Sequence, residues 1–201
     1  KEISSHWKAK DRNLRLHVAV EVDNDNNILP IPSTSPAVYC SLPLIGFESM
    51  SLPFYINSND FEPATERTSL YLKKKRFEIR TNEETDEEEQ FYLQSGINWS
   101  IFERSLSLYE SVVDYLIDNG YNKRYNLING LGDILNGAWG IETKNCLASR
   151  FILPLRNMLV QKNLVKTGGG YRSINSDVKF VECSKDCDLH EFYEICKTIY
   201  G

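Results

Sequence analysis

Apolar and polar residues alternate from Leu14 to Val22. Leu14, Leu16, Val18, Val20 and Val22 take one face, and Arg15, His17 and Glu21 take the other. A period of two predicts a half-buried strand. The cluster Asp23-Asn24-Asp25-Asn26-Asn27 predicts a turn, and Ile28 to Ile31 a returning strand that Pro30 and Pro32 disturb. Val38 to Ile45 is almost wholly apolar and predicts a central strand despite Pro43, while Phe54 to Asn57 predicts a short one. Leu70 to Arg80 and Gln90 to Leu93 predict the two arms of a charged hairpin over 70–93. Its tip, Glu83 to Glu89, carries six carboxylates in seven residues. A run of this kind repels itself and predicts a solvated loop, with Lys73-Lys74-Lys75-Arg76 placed across from it to neutralise part of its field. It lacks the glycine and the alternating ligand order of a calcium loop.

From Asn98 the period lengthens. Phe102, Leu106, Tyr109, Val113 and Leu116 recur at three and four and predict a helix of some twenty residues, stopped by Asn119-Gly120. A shorter helix is predicted over Leu127 to Leu135, closed by Asn136-Gly137. A third starts at Thr143 as its N-cap and runs through Leu147, Phe151, Leu155 and Leu159, with Pro154 kinking or breaking it. Leu164 to Lys166 and Val178 to Val181 predict strands, Gly168-Gly169-Gly170 a turn, and Asp188 to Tyr200 a last helix. Strands fill the first half and helices the second, which predicts an α+β fold in place of a repeated βαβ array. The expected division is a strand-rich lobe over 1–95 and a helical lobe with a small terminal β/α element over 96–201, joined in one compact body.

The 201 residues carry 23 Lys+Arg against 28 Asp+Glu, a formal charge of −5. That balance argues against bulk attraction to nucleic acid or anionic lipid. No apolar stretch approaches the length of a membrane-spanning helix. The chain opens Lys1-Glu2-Ile3-Ser4, with neither a methionine nor an apolar leader, and so is expected to be a piece of a longer polypeptide. Five cysteines at scattered spacing predict reduced thiols and a cytoplasmic setting, not a disulfide framework. Cys183, Cys187, His190 and Cys196 are the right residue types for zinc, but their spacing is not that of the familiar fingers. No metal is assigned to them, and Cys196 reads instead as part of an apolar helix face with Phe192 and Ile195.

The chain holds no G-x-x-x-x-G-K-[ST] phosphate loop, no H-E-x-x-H helix and no G-x-S-x-G elbow. His6, His17 and His190 are far apart in sequence. An enzyme complete within these residues is not expected. The most unusual stretch is Leu42 to Leu72, where Pro43, Pro53, Pro63 and Gly46 interrupt apolar and aromatic surroundings. Ring constraints predict a rigid loop ending in Glu66-Arg67, a means of presenting a guanidinium. Arg67 equally reads as a surface residue paired with Glu62 or Glu66. Lys73 to Arg76 with Tyr71 and Phe77 form a small basic-aromatic patch of the kind that suits single-stranded nucleic acid, although the six neighbouring carboxylates oppose that use.

The stretch Leu42-Pro43-Leu44-Ile45-Gly46, Leu52-Pro53-Phe54-Tyr55-Ile56-Asn57 and Phe61-Glu62-Pro63-Ala64-Thr65-Glu66-Arg67, ahead of a long helix, resembles a pattern seen in one ATPase superfamily. It is similar to the region following the ATP-binding domain in sacsin-like and heat-shock-chaperone-like members of the gyrase–chaperone–histidine kinase–MutL ATPases. Pro154-Leu155-Arg156 and Leu164-Val165-Lys166-Thr167 resemble the downstream pattern more thinly, so the likeness covers about residues 14 to 182. The resemblance implies a middle, or transducer, domain with the fold of the second domain of ribosomal protein S5. ATP and Mg would then be held by a preceding domain of the same chain, and Arg67 would reach the γ-phosphate, with Asn57 and Asn59 as companion loop-shaping and cofactor-facing groups. Relatives of this kind often work as dimers, which implies a possible homodimer beside a client or partner protein. A non-catalytic protein-interaction module is the alternative.

Overall fold

The computed structural model describes residues 2–9, 12–44, 47, 50–64, 69–81, 88–131 and 140–175. Alternation does what the sequence predicts in β2 (Arg12–Ala19), where Leu14, Leu16 and Val18 are fully buried and Arg15 is exposed. β2 pairs antiparallel along its whole length with β1 (Glu2–Ala9), Glu2 opposite Ala19 and Ala9 opposite Arg12. On its other side it meets β5 (Tyr55–Asn57). β3 (Val38–Cys40) lies parallel to β5, and β4 (Leu42–Pro43) closes the edge, giving the order β1-β2-β5-β3-β4.

Two sequence expectations change here. The run Val38 to Ile45 is not one central strand. Ser41 sits at φ 61°, turning the chain so that β4 folds back on β3 and leaves Leu42 64% exposed at the edge. Pro43 is tolerated because an edge strand can spare an N–H. The segment Ile28 to Ile31 makes only a single bridge, Val22 to Ile28, where the prolines stop further pairing. The turn before it is built by Asp23, whose carboxylate accepts the side-chain amide of Asn27 at 2.9 Å and the N–H groups of Asn27 and Asp25 at 2.8 and 3.0 Å.

The long helix α1 (Gln94–Asp118) begins four residues earlier than its apolar period and ends at Asn119, with Gly120 at φ 71°. At 1.5 Å per residue it spans about 37 Å. Its buried stripe, Trp99, Phe102, Tyr109, Val113 and Leu116 among others, packs on the inner face of the sheet. In the middle of the core Phe54 stacks on Tyr109 at 4.0 Å, and Phe102 meets Phe151 edge-on at 5.2 Å. One cluster of buried apolar side chains takes members from Leu14 through to Leu164.

The expected helix over Leu127 to Leu135 is replaced, as far as described, by a 3-10 turn at Arg124–Ile128. Thr143 is not an N-cap, because α2 (Ile141–Leu147) already starts after Gly140. The α-helical ladder is interrupted just before Pro154, which the sequence marks as the break. A π turn at Ala148–Ile152 widens the ladder just before it, and α3 (Leu153–Leu159) continues with Pro154 in its first turn, where no N–H is needed. β8 (Asn163–Thr167) and β9 (Gly170–Ser173) form a hairpin across the predicted glycine turn, Gly170 taking φ 102°. The strand expected at Val178 to Val181 and the helix at Asp188 to Tyr200 lie outside the described residues. Mixed α and β structure with small sheets is thus the observed class, and no helix among the described residues is long and apolar enough to cross a membrane.

Candidate functional site

Asn57 ends β5 and Asn59 stands two residues beyond, and both turn to the same partner. The backbone N–H of Ser41 donates to Asn57 Oδ1 at 3.3 Å, and the Ser41 hydroxyl donates to Asn59 Oδ1 at 2.7 Å. The left-handed backbone of Ser41 places its N–H and hydroxyl where the two amide oxygens meet them. Beneath them Ser58 donates to the Arg15 carbonyl at 2.6 Å, and Asp60 accepts the Arg15 N–H at 2.7 Å, tying this corner to β2.

Asn57 also lines an open groove on the outer face of the sheet, with His17 and Ala19 from β2, Tyr39 from β3 and Tyr55 from β5. Its volume is about 400 Å³. The rings of Tyr39 and Tyr55 meet edge to face at 6.1 Å. Partial burial, then the charge of Glu21 and the neighbouring Tyr39, push the Tyr55 phenol above its ordinary pKa, so it stays a neutral donor at physiological pH. The sequence pattern did not single out Tyr39 and Tyr55 as a pair. Their signal was the alternation itself: Val38 and Cys40, and Ile56, turn inward, so Tyr39, Tyr55 and Asn57 must face out.

Arg67 falls in 65–68, outside the described residues, but the base of its loop is defined. The N–H of Ala64 donates to the Ser69 carbonyl at 2.9 Å, and Pro63 bridges Leu70. Asn98, fully buried on the first turns of α1, grips both sides of that base. Its oxygen accepts the Glu62 N–H at 2.8 Å, and its amide nitrogen donates to the Glu62 and Tyr71 carbonyls at 2.9 and 3.1 Å. The oxygen and both N–H groups of this side chain are thereby matched, as a buried polar group requires. In the sequence Asn98 stands out only as the place where the helical period starts.

Beyond Tyr71 the chain is strapped across α1. Trp99 Nε1 donates to the Lys73 carbonyl at 3.0 Å, the Ser95 hydroxyl donates to the Lys75 carbonyl, and the Leu93 N–H donates to the Arg76 carbonyl at 2.9 Å. The first hairpin arm therefore does not begin at Leu70. β6 (Phe77–Thr81) and β7 (Glu88–Tyr92) pair from Phe77 opposite Tyr92 to Thr81 opposite Glu88. Lys73 to Arg76 precede the hairpin, and in the described part of the acidic run Glu88 and Glu89 face Thr81 and Arg80; the rest of that run lies outside the described residues. Within the basic-aromatic patch, Arg76 is committed to Glu103 at 2.8 Å and Lys75 to Glu78 at 3.1 Å.

Cys40 and Cys146, on β3 and α2, are buried and not in a disulfide, and the Cys40 thiol faces the Phe61 carbonyl at 3.7 Å. No cluster of three or more His, Cys, Asp or Glu side chains suited to a metal occurs among the described residues, and Cys183, Cys187, His190 and Cys196 lie outside them. Comparison with family models, curated proteins and solved structures finds no match to this chain.

Proposed function

We propose that this chain is the transducer domain of a larger ATP-dependent protein, an α+β module of the ribosomal S5 second-domain type. It closes on a preceding nucleotide-binding domain of the same chain and presents Arg67 to the γ-phosphate. The observation that carries this reading is the clamped base of the 65–68 loop. A buried amide on the long helix holds Glu62 and Tyr71, either side of the Ala64–Ser69 closure. A loop whose base is tied in this way leaves and re-enters the fold at fixed points, which supports its use by an arginine acting across a domain boundary.

A guanidinium is charged at every physiological pH and forks onto phosphate oxygens. Delivered only when the domains close, it stabilises the transferred phosphoryl in the closed state alone, so hydrolysis follows domain position. Mg supplies charge neutralisation on the phosphates in the preceding domain, and this chain contributes the cation. Asn57 and Asn59, held by Ser41, shape the neighbouring corner of the sheet. The buried thiols Cys40 and Cys146, neither in a disulfide, are in keeping with a reducing, cytoplasmic setting.

The test is Arg67→Ala in the full-length protein. Turnover should fall by about 10³-fold, within the range for arginine fingers, while nucleotide affinity stays nearly constant. Arg67→Lys should fail to restore it, because a point charge lacks the fork. Unchanged turnover removes the assignment. A second reading, a non-catalytic protein-interaction module, is favoured by the open tyrosine groove, and it predicts that Tyr55→Ala weakens partner capture while ATP turnover is unaffected.

A further inference from the structure

The outer face of the sheet carries chemistry that the ATPase reading does not use. Ala19 stands opposite Tyr55 across β2 and β5, and His17 opposite Asn57, while β3 sets Tyr39 beside Asn57. The outward positions along this part of the chain run His17, Ala19 and then Glu21, so a single methyl group lies between two larger side chains. The space over Ala19 belongs to the open groove of about 400 Å³.

Two features give this groove a sign. The rings of Tyr39 and Tyr55 stand 70° apart with centroids 6.1 Å apart, two walls of a corner. The face of an aromatic ring is negative and attracts a cation within about 6 Å. Glu21 is exposed and one diagonal step from Tyr55 in the ladder, near enough for its charge to act on the Tyr55 phenol. No basic side chain pairs with Glu21 among the described residues, and none of the lining side chains is a lysine or an arginine. Ring faces and carboxylate thus favour the same ligand charge.

We propose that the groove takes the side chain of a lysine from a protein partner, its ammonium in the tyrosine corner beside Glu21 and its methylene stem over Ala19. A compact ammonium can meet two ring faces set at a steep angle, whereas a planar guanidinium lies flat on only one. The groove is far larger than an ammonium group, so the four-carbon stem has apolar surface to cover. This gives a ligand chemistry to the interaction-module reading, on which it rests, and it is independent of Arg67.

Titration of the 201-residue chain with Nα-acetyl-lysine methylamide, followed by NMR, tests this. The ring signals of Tyr39 and Tyr55 and the Ala19 amide should shift saturably, with a dissociation constant of about a millimolar, as befits so small a ligand. The norleucine analogue has the stem without the charge, and methylammonium the charge without the stem; each should bind about tenfold more weakly. Read at the Ala19 amide, Tyr55→Ala should weaken lysine binding about tenfold with the fold intact by circular dichroism. Tyr55→Phe, which keeps the ring face, should retain most of the binding, and Glu21→Gln should weaken it about threefold. Absence of a saturable shift overturns the proposal, and so does binding that the norleucine analogue or methylammonium matches, or that Tyr55→Ala leaves unchanged. Partner capture that depends on Tyr55, without any response to the blocked lysine, would overturn this ligand and leave the interaction-module reading standing.

Discussion

Replacing Asn98 with Leu keeps the branching and heavy-atom count of a fully buried side chain and removes every polar contact it makes. Three hydrogen bonds go: Glu62 N–H at 2.8 Å, Glu62 carbonyl at 2.9 Å and Tyr71 carbonyl at 3.1 Å. Each bond contributes about 1 kcal/mol net, and a buried partner left unpaired costs about 1–3 kcal/mol more. Glu62 and Tyr71 are themselves half-buried, so water recovers part of the loss. The expected destabilisation is about 3–4 kcal/mol, a large share of the roughly 5–15 kcal/mol typical of a domain. Asn98→Asp keeps the acceptor for Glu62 N–H but turns a carboxylate oxygen toward two carbonyls, and should be no better tolerated. Urea titration should show a lowered midpoint with an unchanged slope. Hydrogen exchange should show the Glu62 amide losing protection, together with Ala64, whose N–H closes the loop on Ser69. A loss under about 1 kcal/mol, with both amides still protected, would refute the clamp, because a net hydrogen bond alone accounts for that much.

Two further outcomes rest on buried polar contacts. Tyr109 is fully buried, and its hydroxyl donates to the Leu127 carbonyl at 2.7 Å; burial pushes its pKa well above the ordinary phenol value. Tyr109→Phe should cost about 1–2 kcal/mol in urea denaturation while leaving the stacking on Phe54 in place. Lys162 on the turn after α3 donates to Asp114 at 2.7 Å and pairs with Glu110 at 2.9 Å. Burial lowers its pKa, but the hydrogen bonds to Asp114 and Glu110 outweigh that and raise it above 10.5. A raised lysine pKa means stability present below the unfolded value and lost as pH climbs through the folded one. Wild type should therefore lose stability above about pH 10.5 more steeply than Lys162→Met, compared by thermal melts across that range.

What the sequence made legible was local. The inward set Leu14, Leu16 and Val18 and the helical stripe from Phe102 to Leu116 come from periodicity, because burial on one face is all those elements need. The extended path of residues 71–76 was not legible, since it is set by side chains of Ser95, Asn98 and Trp99, about twenty-five residues downstream. A charge run looks the same whether its backbone is free or fastened. Ser41 likewise breaks an apolar run with a left-handed turn that Asn57 and Asn59 support from another strand. Pro154 marks the interruption in the sequence, but that it takes the form of a π turn leaves no mark in residue propensity.

Most of these departures share a cause, and it bears on the candidate site. A polar side chain from a distant element satisfies a backbone group that no ladder or helix reaches. The Asn98 clamp, the Ser41 corner and the strap are all of that kind, and they gather around the segment from Asn57 to Arg76. Long-range polar tethering of irregular backbone costs specific buried groups and contributes no extra core. In the described parts of this stretch, 57–64 and 69–76, such tethers take the place of regular pairing beyond Asn57. What it carries in sequence is Arg67, which lies outside the described residues, and, beyond the loop's base, the exposed Lys73 and Lys74 on a fastened strap. Under the proposed function Arg67 would meet a phosphate of a neighbouring domain, and the turnover experiment on Arg67 decides that without any assumption about the strap.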